Sequence, residues 1–295
     1  MEFIKAKTIL SKVKYGADWY GVDYNMNLYR GCSHGCIYCD SRSNCYHIVN
    51  FDVPRGKENA LAILEKELSK KQDHGLIGIG SMSDSYNPKE LQYEQTRGAL
   101  KIISKYNFGV SIDTKSDLVL RDLDLLKEIN KKNNVIIKFT ITTPHDDLSK
   151  IIEPNVCPSS KRLEAIKKLT DNGIYAGIML NPVLPFITDK EEDIKYLVKL
   201  AHEHGAKFIH TYMGMTLREN QRDYYYEKLD KYFPNIKEKY INYYKNSYNC
   251  PVPNYKKLYK VFTEECDKYK ILYNMKDIIK DFKKEIKNNE QISLF

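Results

Sequence analysis

Residues 29–40 read YRGCSHGCIYCD and place three cysteines within eight residues. Cys32, Cys36 and Cys39 have the spacing C-x3-C-x2-C, with the aromatic Tyr38 directly before the last cysteine. A structural zinc site normally has four protein ligands, and simple ferredoxin clusters also use four cysteines. Three thiolates on a tight loop leave one iron of a four-iron cluster without a protein ligand, and that iron can bind a small molecule. A structural zinc loop or unpaired thiols is the alternative interpretation.

Outward from this loop, short strand patterns alternate with longer amphipathic helix patterns as far as residue 210. This alternation is typical of parallel βα units joined by right-handed crossovers. Six units predict an α/β fold, an open and partial (βα)6 TIM-like barrel. The predicted strands are Asn25–Tyr29, Leu76–Gly80, Gly109–Thr114, Val135–Thr142, Tyr175–Leu180 and Lys207–His210. The predicted helices cover residues 57–71, 91–106, 121–132, 160–173 and 189–205.

The cysteine loop, residues 31–39, directly follows the first predicted strand. In barrels of this kind chemistry gathers at the carboxyl ends of the strands, so we expect the loop to lie there. Beyond residue 210 the pattern becomes mostly helical. The sequence therefore predicts a barrel over residues 1–212, a helical, basic and Tyr-rich C-terminal region over residues 213–290 that packs on the barrel, and a short tail at 291–295.

Several segments in addition to the cysteine loop carry a resemblance to a known family. They are NLYRGCSHGCIYC from Asn27, GSMSDSYNP from Gly80, DTKSDLVLRDLDLL from Asp113, FTITT from Phe139, IEPNVCPSSKRLEAI from Ile152 and GMTLRENQRDYYYEKLDKYFP from Gly214. Together they resemble the radical SAM superfamily, whose hallmark is the C-x3-C-x2-C spacing. Within that superfamily the chain is similar to the spore photoproduct lyase-like group, also called DNA repair photolyase-like proteins.

The resemblance implies a [4Fe-4S] cluster with Cys32, Cys36 and Cys39 as its ligands and S-adenosylmethionine (SAM) at the open iron. It implies that the reduced cluster passes one electron to the sulfonium of SAM, and that the resulting 5′-deoxyadenosyl radical abstracts hydrogen from a substrate carbon. The cofactor carries this hard step, while the protein supplies orientation and shielding. The implied electron donor is a flavodoxin or ferredoxin.

The resemblance also implies a set of residues that help to hold SAM. They are Ser83, Asp84, Lys115 and Thr140, with Tyr38 as a further member of the cofactor-binding set. The first four lie at predicted strand ends, where an amino acid and a ribose need hydrogen-bond partners. Thr140 as an ordinary β-branched strand residue, and Lys115 as a solvated loop charge, are the alternatives.

One position departs from the family pattern. In the photoproduct lyases a cysteine two residues before the Ser-Asp pair returns hydrogen to the product radical, and here that position is Ser81. A serine O–H bond is too strong to replace a thiol in that step. The residue that returns hydrogen is therefore unknown, with Cys45 and Tyr86 as weak candidates. The resemblance supports radical SAM chemistry more firmly than the lyase substrate.

Two further features concern the surroundings of the cysteines. His34 lies between the thiols and is expected either to face solvent or to form a hydrogen bond behind the ligands. Glu153 and Arg162 are expected to form an ion pair that shapes the loop after the fourth strand, with phosphate contact by Arg162 as the alternative.

The composition is that of a soluble globular protein, with 42% hydrophobic and 29% charged residues in a chain of 295. No apolar stretch approaches the roughly 18–20 residues of a membrane span, so we expect a cytoplasmic protein without membrane contact. In that reducing compartment its seven cysteines favour metal binding or free thiols over disulfides.

The charge and aromatic pattern of the C-terminal region indicates a nucleic-acid surface. The chain has a net charge of +8, and residues 217–295 hold 17 Lys and Arg against 12 Asp and Glu, with 12 of the 24 tyrosines. Lysines can contact phosphates while tyrosines stack on bases. The alternative is a general bias, because the whole chain is rich in Lys, Asn, Ile and Tyr.

The final residues read QISLF and resemble the short peptide that docks bacterial replication and repair proteins onto the DNA polymerase sliding clamp. Leu294 and Phe295 suit a hydrophobic pocket and Gln291 a polar rim. An apolar tail folded onto its own domain is the alternative.

The leading hypothesis is thus a radical SAM enzyme that acts on damaged or modified DNA. The second is radical SAM modification of RNA, a peptide or a protein. The third is a non-catalytic, cluster-containing DNA- or clamp-binding protein.

Overall fold

The computed structural model of the protein describes residues 2–14 and 18–283, and this part of the chain holds twelve strands and eleven α-helices. The strands are β1 (Phe3–Ile4), β2 (Leu10–Lys12), β3 (Tyr24–Met26), β4 (Tyr29–Arg30), β5 (Arg55–Lys57), β6 (Leu76–Ile79), β7 (Gly109–Thr114), β8 (Val135–Thr140), β9 (Tyr175–Leu180), β10 (Ile209–Thr211), β11 (Gly214–Thr216) and β12 (Asn249–Pro251). The helices are α1 (Ala60–Leu68), α2 (Glu90–Tyr93), α3 (Gln95–Lys105), α4 (Leu123–Lys132), α5 (Asp146–Ile152), α6 (Ser159–Asp171), α7 (Glu191–Glu203), α8 (Gln221–Tyr232), α9 (Ile236–Tyr244), α10 (Tyr255–Tyr269) and α11 (Met275–Phe282).

Seven strands form the main sheet in the order β10-β9-β8-β7-β6-β3-β2. Six of them, β3 and β6 to β10, are parallel, and β2 pairs antiparallel with β3. Within the described residues, β10 and β2 stand at opposite ends of the sheet, so the barrel is open. The six parallel strands correspond to the six predicted ones, which confirms the partial (βα)6 fold.

Element ends differ from the predictions where a turn intervenes. The predicted strand Asn25–Tyr29 is divided between β3 and β4, and β4 joins β1 and β5 in a separate small sheet. The predicted helix 121–132 is preceded by a 3-10 helix, Asp117–Asp122. This helix starts early because the Ser116 hydroxyl accepts the Leu118 N–H at its first turn, at 3.3 Å.

Alternate residues of the parallel strands face different surroundings, as a strand requires. One set packs under the helices in the main core and includes Ile77, Ile79, Val110, Ile112, Ile137, Phe139 and Ile178. On the opposite, inner face, Ile136 and Met179 join Phe208 in another apolar cluster. Gly177 leaves room for it, since a Cβ there would lie 2.5 Å from the Phe208 carbonyl oxygen.

Helices α10 and α11 of the C-terminal region pack on the barrel. Leu258, Phe262 and Cys266 of α10 belong to the main core, where α10 lies against α7. Ile278 and Phe282 of α11 join the inner-face cluster. The mostly helical character predicted for this region is confirmed, and the antiparallel pair β11–β12 is an addition. The boundary between residues 212 and 213 stays a prediction.

Two predictions concern features at or beyond the limits of the described residues. In the described part of the chain, no helix combines the length and apolar character needed to span a membrane. The tail 291–295, with Gln291, Leu294 and Phe295, lies outside the described residues. Clamp docking and a cytoplasmic location therefore stay predictions.

Candidate active site

A cavity of about 260 Å³ opens where β6, β7, β8 and β9 end, next to the cysteine loop. Residues that end or directly follow these strands form one wall, and the cysteine loop forms another. The cavity brings together seven residues that the sequence predicted as a site, Cys32, Cys36, Cys39, Ser83, Asp84, Lys115 and Thr140.

The backbone of the cysteine loop is fixed at both ends. Gly31 has φ +83°, and a Cβ there would lie 2.6 Å from the Phe51 carbonyl oxygen. The same carbonyl accepts the Cys32 N–H at 2.8 Å. Further along, the Ile37 N–H donates to the carbonyl of Ile152 at 2.9 Å. The loop thus needs glycine at its start and is held by two segments distant in sequence.

The three thiols are largely removed from solvent. Cys32 and Cys36 are buried and Cys39 is partly buried. Burial raises the pKa of Cys32 to about 12, and it also raises the pKa values of Cys36 and Cys39. Without a bound cation these thiols are therefore protonated at neutral pH, and a metal centre that binds them displaces their protons.

The donor set fits an iron–sulfur cluster better than a single metal ion. Thiolates are the soft ligands that zinc and iron–sulfur clusters prefer. Among residues 2–14 and 18–283, no three His, Cys, Asp or Glu side chains converge as ligands of one ion. Ligands of a cluster bind different irons and do not need to converge on one point. His34, the histidine between the cysteines, is held against Asp84, so the three cysteines suit a cluster with one open iron.

Asp84 connects the ends of two strands to the cysteine loop. Its Oδ1 accepts the Tyr86 N–H and the Thr114 hydroxyl, each at 2.9 Å. Its Oδ2 accepts the Lys115 N–H at 2.7 Å and lies 3.0 Å from His34 Nε2. Burial would raise the pKa of this carboxyl, but the nearby His34 and the donors to its oxygens outweigh burial and lower the pKa to about 2. Protein donors surround both oxygens, so the geometry suits a positioning role rather than contact with a ligand.

Asp84→Asn should lower the free energy of unfolding of the metal-free protein by about 2–3 kcal/mol, the usual cost of losing hydrogen bonds to a buried charged group. The replacement amide would point N–H groups at a backbone donor or at His34. Urea unfolding measures the loss, and Asp171→Asn on the exposed face of α6 is the control. Equal stability of the two variants would contradict the role of Asp84.

The same contacts predict a pH dependence. The pKa of Asp84 in the folded chain, about 2, lies below that of an unfolded aspartate, about 3.9. The contribution of Asp84 to stability is therefore full above about pH 4 and is lost as the pH falls through about 2. The difference in unfolding free energy between wild type and Asp84→Asn should shrink over that range.

Lys115 presents a cation to the cavity. Burial would lower its pKa, but Cys36, Glu153 and Asp84 around it raise the pKa above its ordinary value. Its Nζ lies 5.9 Å from the ring centre of Tyr38. Among the described residues, no hydrogen bond or ion pair uses this ammonium group, which is therefore available to an anionic ligand.

Ser83 and Thr140 lie on the cavity wall and are buried. The Ser83 hydroxyl donates to the Gly31 carbonyl and so ties the end of β6 to the start of the cysteine loop. The Thr140 carbonyl accepts Arg162 Nη1 at 2.7 Å, which fixes the end of β8. Each residue therefore has a structural contact in addition to its place at the cavity.

Behind the loop lies the predicted ion pair. Glu153 and Arg162 are fully buried and 2.5 Å apart, so the pair is confirmed and Arg162 is inaccessible to phosphate. The Tyr38 hydroxyl donates to Glu153, and burial together with Glu153 raises the Tyr38 pKa well above its ordinary value. The Tyr38 side chain lies beneath the backbone of the cysteine loop and is absent from the cavity wall.

His34 is the clearest case where one of two expectations is wrong. Its side chain is buried rather than facing solvent. The His34 ring lies between Asp84 and the carbonyl oxygen of Asn155, and His34 Nδ1 is 3.3 Å from that oxygen. The expectation of a hydrogen bond is therefore confirmed. A histidine beside thiols resembles a ligand in sequence, and only the fold reveals its carboxylate partner.

The candidates for hydrogen return lie in different places. Ser81 is on the cavity wall. Cys45 is exposed, absent from that wall, and 3.2 Å from Arg218 Nη1. Tyr86 is fully buried, also absent from the wall, and donates to Asp122 at 3.2 Å. Neither weak candidate reaches the cavity in this conformation.

Trp19 and Met179 are two of the cavity residues that the sequence does not predict as part of the site. Trp19, the only tryptophan in the chain, is 45% exposed and lines the cavity. Its ring contacts His210 edge-on at 5.3 Å. Met179 lines the inner wall and accepts the Tyr20 hydroxyl at 2.8 Å. Trp19 precedes the first predicted strand, Asn25–Tyr29, and belongs to no motif. An isolated tryptophan in a polar stretch is nevertheless itself a signal of a functional site.

Two relatives are similar to this chain in sequence over much of its length. A protein of Methanocaldococcus jannaschii, MJ0683, is 36% identical over 192 residues, which cover 64% of this chain and 69% of that protein. Rv2578c of Mycobacterium tuberculosis is 27% identical over 262 residues, which cover 86% of this chain and 76% of that protein. Both are described as uncharacterised.

Solved structures share the fold. A spore photoproduct lyase mutant with bound AdoMet and dinucleoside spore photoproduct matches 90% of this chain and 78% of its own, with a TM-score of 0.66 and 15% identity. The radical S-adenosylmethionine methyltransferase TsrM of Kitasatospora setae matches 70% of this chain and 38% of its own, with a TM-score of 0.51 and 11% identity. The radical SAM superfamily model matches residues 26–201. This range includes the last residue of β3, the cysteine loop and the four parallel strands β6 to β9. This protein therefore belongs to the radical SAM superfamily.

Proposed function

We propose that this radical SAM enzyme holds a [4Fe-4S] cluster on Cys32, Cys36 and Cys39, cleaves SAM reductively, and acts on damaged or modified DNA. The observation that carries the proposal is the meeting of three largely buried thiols and the available ammonium of Lys115 in one cavity. When bound, the cluster and SAM supply a carbon radical through one-electron cleavage of the sulfonium.

The residues around the cavity have separate tasks in this proposal. Lys115 binds the carboxylate of SAM, since no hydrogen bond or ion pair among the described residues uses its ammonium group at the cavity wall. Thr140 offers a hydroxyl to the ribose or the amino acid moiety. Asp84 and Ser83 act through the backbone, because Asp84 holds the Lys115 amide and Ser83 holds the Gly31 carbonyl.

Shielding of the radical is the other requirement, because a primary carbon radical abstracts hydrogen from any nearby C–H or S–H bond. Phe51, Met82 and Met179 give the wall an apolar part. Trp19 stands at the same cavity with nearly half of its surface exposed, and a bound ligand would cover it.

Anaerobic reconstitution with iron and sulfide, reduction with dithionite, and chromatography for 5′-deoxyadenosine test the reaction. We expect methionine and 5′-deoxyadenosine in equal amounts. A full four-iron cluster without cleavage would exclude the enzyme and favour a non-catalytic DNA- or clamp-binding protein.

Support for a DNA substrate comes from the surface and from one solved structure with the same fold. On α10 the exposed Tyr255 and Tyr259 stack at 5.8 Å next to Lys256, Lys257 and Lys260, and α9 adds the exposed Tyr243. A spore photoproduct lyase has been solved in complex with dinucleoside spore photoproduct. Ser81 argues against the hydrogen return of that enzyme and motivates the second candidate, modification of RNA, a peptide or a protein.

Gel shifts at low and high salt, with damaged and undamaged duplexes, test the DNA part of the proposal.

A protein lacking residues 291–295 tests the tail in a pull-down with the sliding clamp. We expect salt-sensitive DNA binding by both forms and clamp retention by the full chain alone. Unchanged clamp retention without the tail, together with no DNA affinity at low salt, would contradict the proposal that the enzyme acts on DNA. Changes confined to RNA or peptides between wild-type and Cys36→Ala cells would then favour the second candidate.

A further inference from the structure

The segment GMTLRENQRDYYY, residues 214–226, resembles family members in sequence but has no part in the cavity. It consists of β11, a short turn and the first turns of α8. We propose that this segment, called here the brace, holds the cysteine loop in the conformation that binds the cluster. Gln221 is its main positioning residue, and the inference rests on the proposed cluster.

Gln221 reaches the cysteine loop directly. Its side chain is fully buried, and Nε2 donates to the Tyr38 carbonyl at 2.9 Å, between the second and third cysteines. The same Nε2 donates to the Thr216 carbonyl at 2.8 Å, while Oε1 accepts the Arg218 N–H at 2.8 Å. The amide therefore has each of its groups engaged and joins the loop to both parts of the brace.

Other brace residues hold the chain directly after Cys39. The Thr216 hydroxyl and the Arg218 Nε each lie 3.1 Å from Asp40 Oδ1. Asn220 Nδ2 donates to the Arg42 carbonyl at 2.9 Å. These contacts fix the exit of the loop, as Gly31 fixes its entrance.

Apolar packing continues the same contact. Cys36 and Tyr38 belong to one buried cluster with Met215, Leu217 and Tyr225 of the brace. The guanidinium carbon of Arg42 lies 3.9 Å from the ring centre of Tyr224. The core beneath the cysteine loop is thus built largely from residues that lie about 180 or more positions further along the chain.

Gln221→Glu is the sharpest test. A glutamate keeps an oxygen for the Arg218 N–H but places a second oxygen against two carbonyl groups. We expect iron to leave the reconstituted cluster about 2- to 12-fold faster in the presence of a chelator, the range set by one net hydrogen bond. Absorbance of the cluster under anaerobic conditions, without SAM, measures the rate.

Asn220→Gly is the second variant. Asn220 has φ +67°, which glycine adopts without strain, so the change removes the contact to Arg42 and little else. Tyr240→Phe is the control for packing inside the same apolar cluster, because it removes hydroxyl contacts to Tyr225 at 3.0 Å and to Met215 Sδ at 3.4 Å but keeps every contact between the brace and the cysteine loop. Urea unfolding of each metal-free variant separates local effects from loss of fold.

The outcomes separate the brace from the proposed function. Faster iron loss in Gln221→Glu and Asn220→Gly, with Tyr240→Phe like wild type, supports the brace. Iron loss at the wild-type rate in both variants would overturn the brace. An equal increase in the rate of iron loss in Tyr240→Phe, at the same midpoint of urea unfolding, would also overturn it. A wild-type protein that binds no iron after reconstitution overturns the proposed function as well as the brace.

Discussion

Cys32→Ser, Cys36→Ser and Cys39→Ser should each reduce 5′-deoxyadenosine formation to the level seen without dithionite. The three thiols meet in one cavity, and His34 and Asp84, which line the same cavity, are already paired with each other. A serine hydroxyl is a poor ligand for an iron that prefers thiolate. Chromatography of reactions at equal protein concentration measures the effect.

Cys45→Ser is the control for these variants, because Cys45 is exposed and lies away from the cavity. We expect it to keep both iron content and cleavage of SAM. Iron content and the electron paramagnetic resonance spectrum of the reduced protein show whether each loss follows from a missing cluster. Cleavage retained in any of the first three variants would remove that cysteine from the ligand set.

Lys115→Met should weaken binding of SAM by roughly 10- to 150-fold, which corresponds to the loss of one hydrogen bond between charged groups, about 1.5–3 kcal/mol. The ammonium lies at the cavity, and within residues 2–14 and 18–283 no hydrogen bond or ion pair uses it, so methionine removes the charge while keeping a side chain of similar length. Trp19, the only tryptophan, lines the same cavity, so quenching or a shift of its fluorescence reports binding.

Lys131→Met on the exposed face of α4 is the control for the loss of one positive charge. Lys115→Arg should restore part of the affinity, because it returns the charge with a different shape. Equal affinity of wild type and Lys115→Met would contradict carboxylate binding by Lys115. A change in fluorescence on addition of methionine alone would show that the amino acid part is sufficient for contact.

The sequence located the cavity because strand ends are predictable. A Ser-Asp pair, a lysine and a threonine each follow or end a predicted strand, and parallel strands bring their carboxyl ends to one edge. What each side chain does there was less predictable. Asp84 could equally face a ligand or the protein, and the choice depends on the amide of Lys115 and on His34, which belong to two other segments.

Contacts between distant segments account for the other gaps. Gln221 lies 183 residues from Tyr38, and no periodic pattern connects a helix start to a loop at that distance. Cys45 was a candidate because it is close to the cluster cysteines in sequence, but the 3-10 helices at Asp40–Arg42 and Asn44–Tyr46 lead it away from the cavity. Proximity along the chain is a weak guide where tight turns intervene.

The last helix of the described chain has a practical consequence for anyone who shortens the protein. Ile278 and Phe282 of α11 fill space beside Tyr20 and Phe208 on the inner face of the open sheet. A fragment that stops at residue 212 would expose this apolar surface to solvent, and we expect such a fragment to aggregate during expression. Fragments for crystallisation or labelling should therefore extend at least through residue 283.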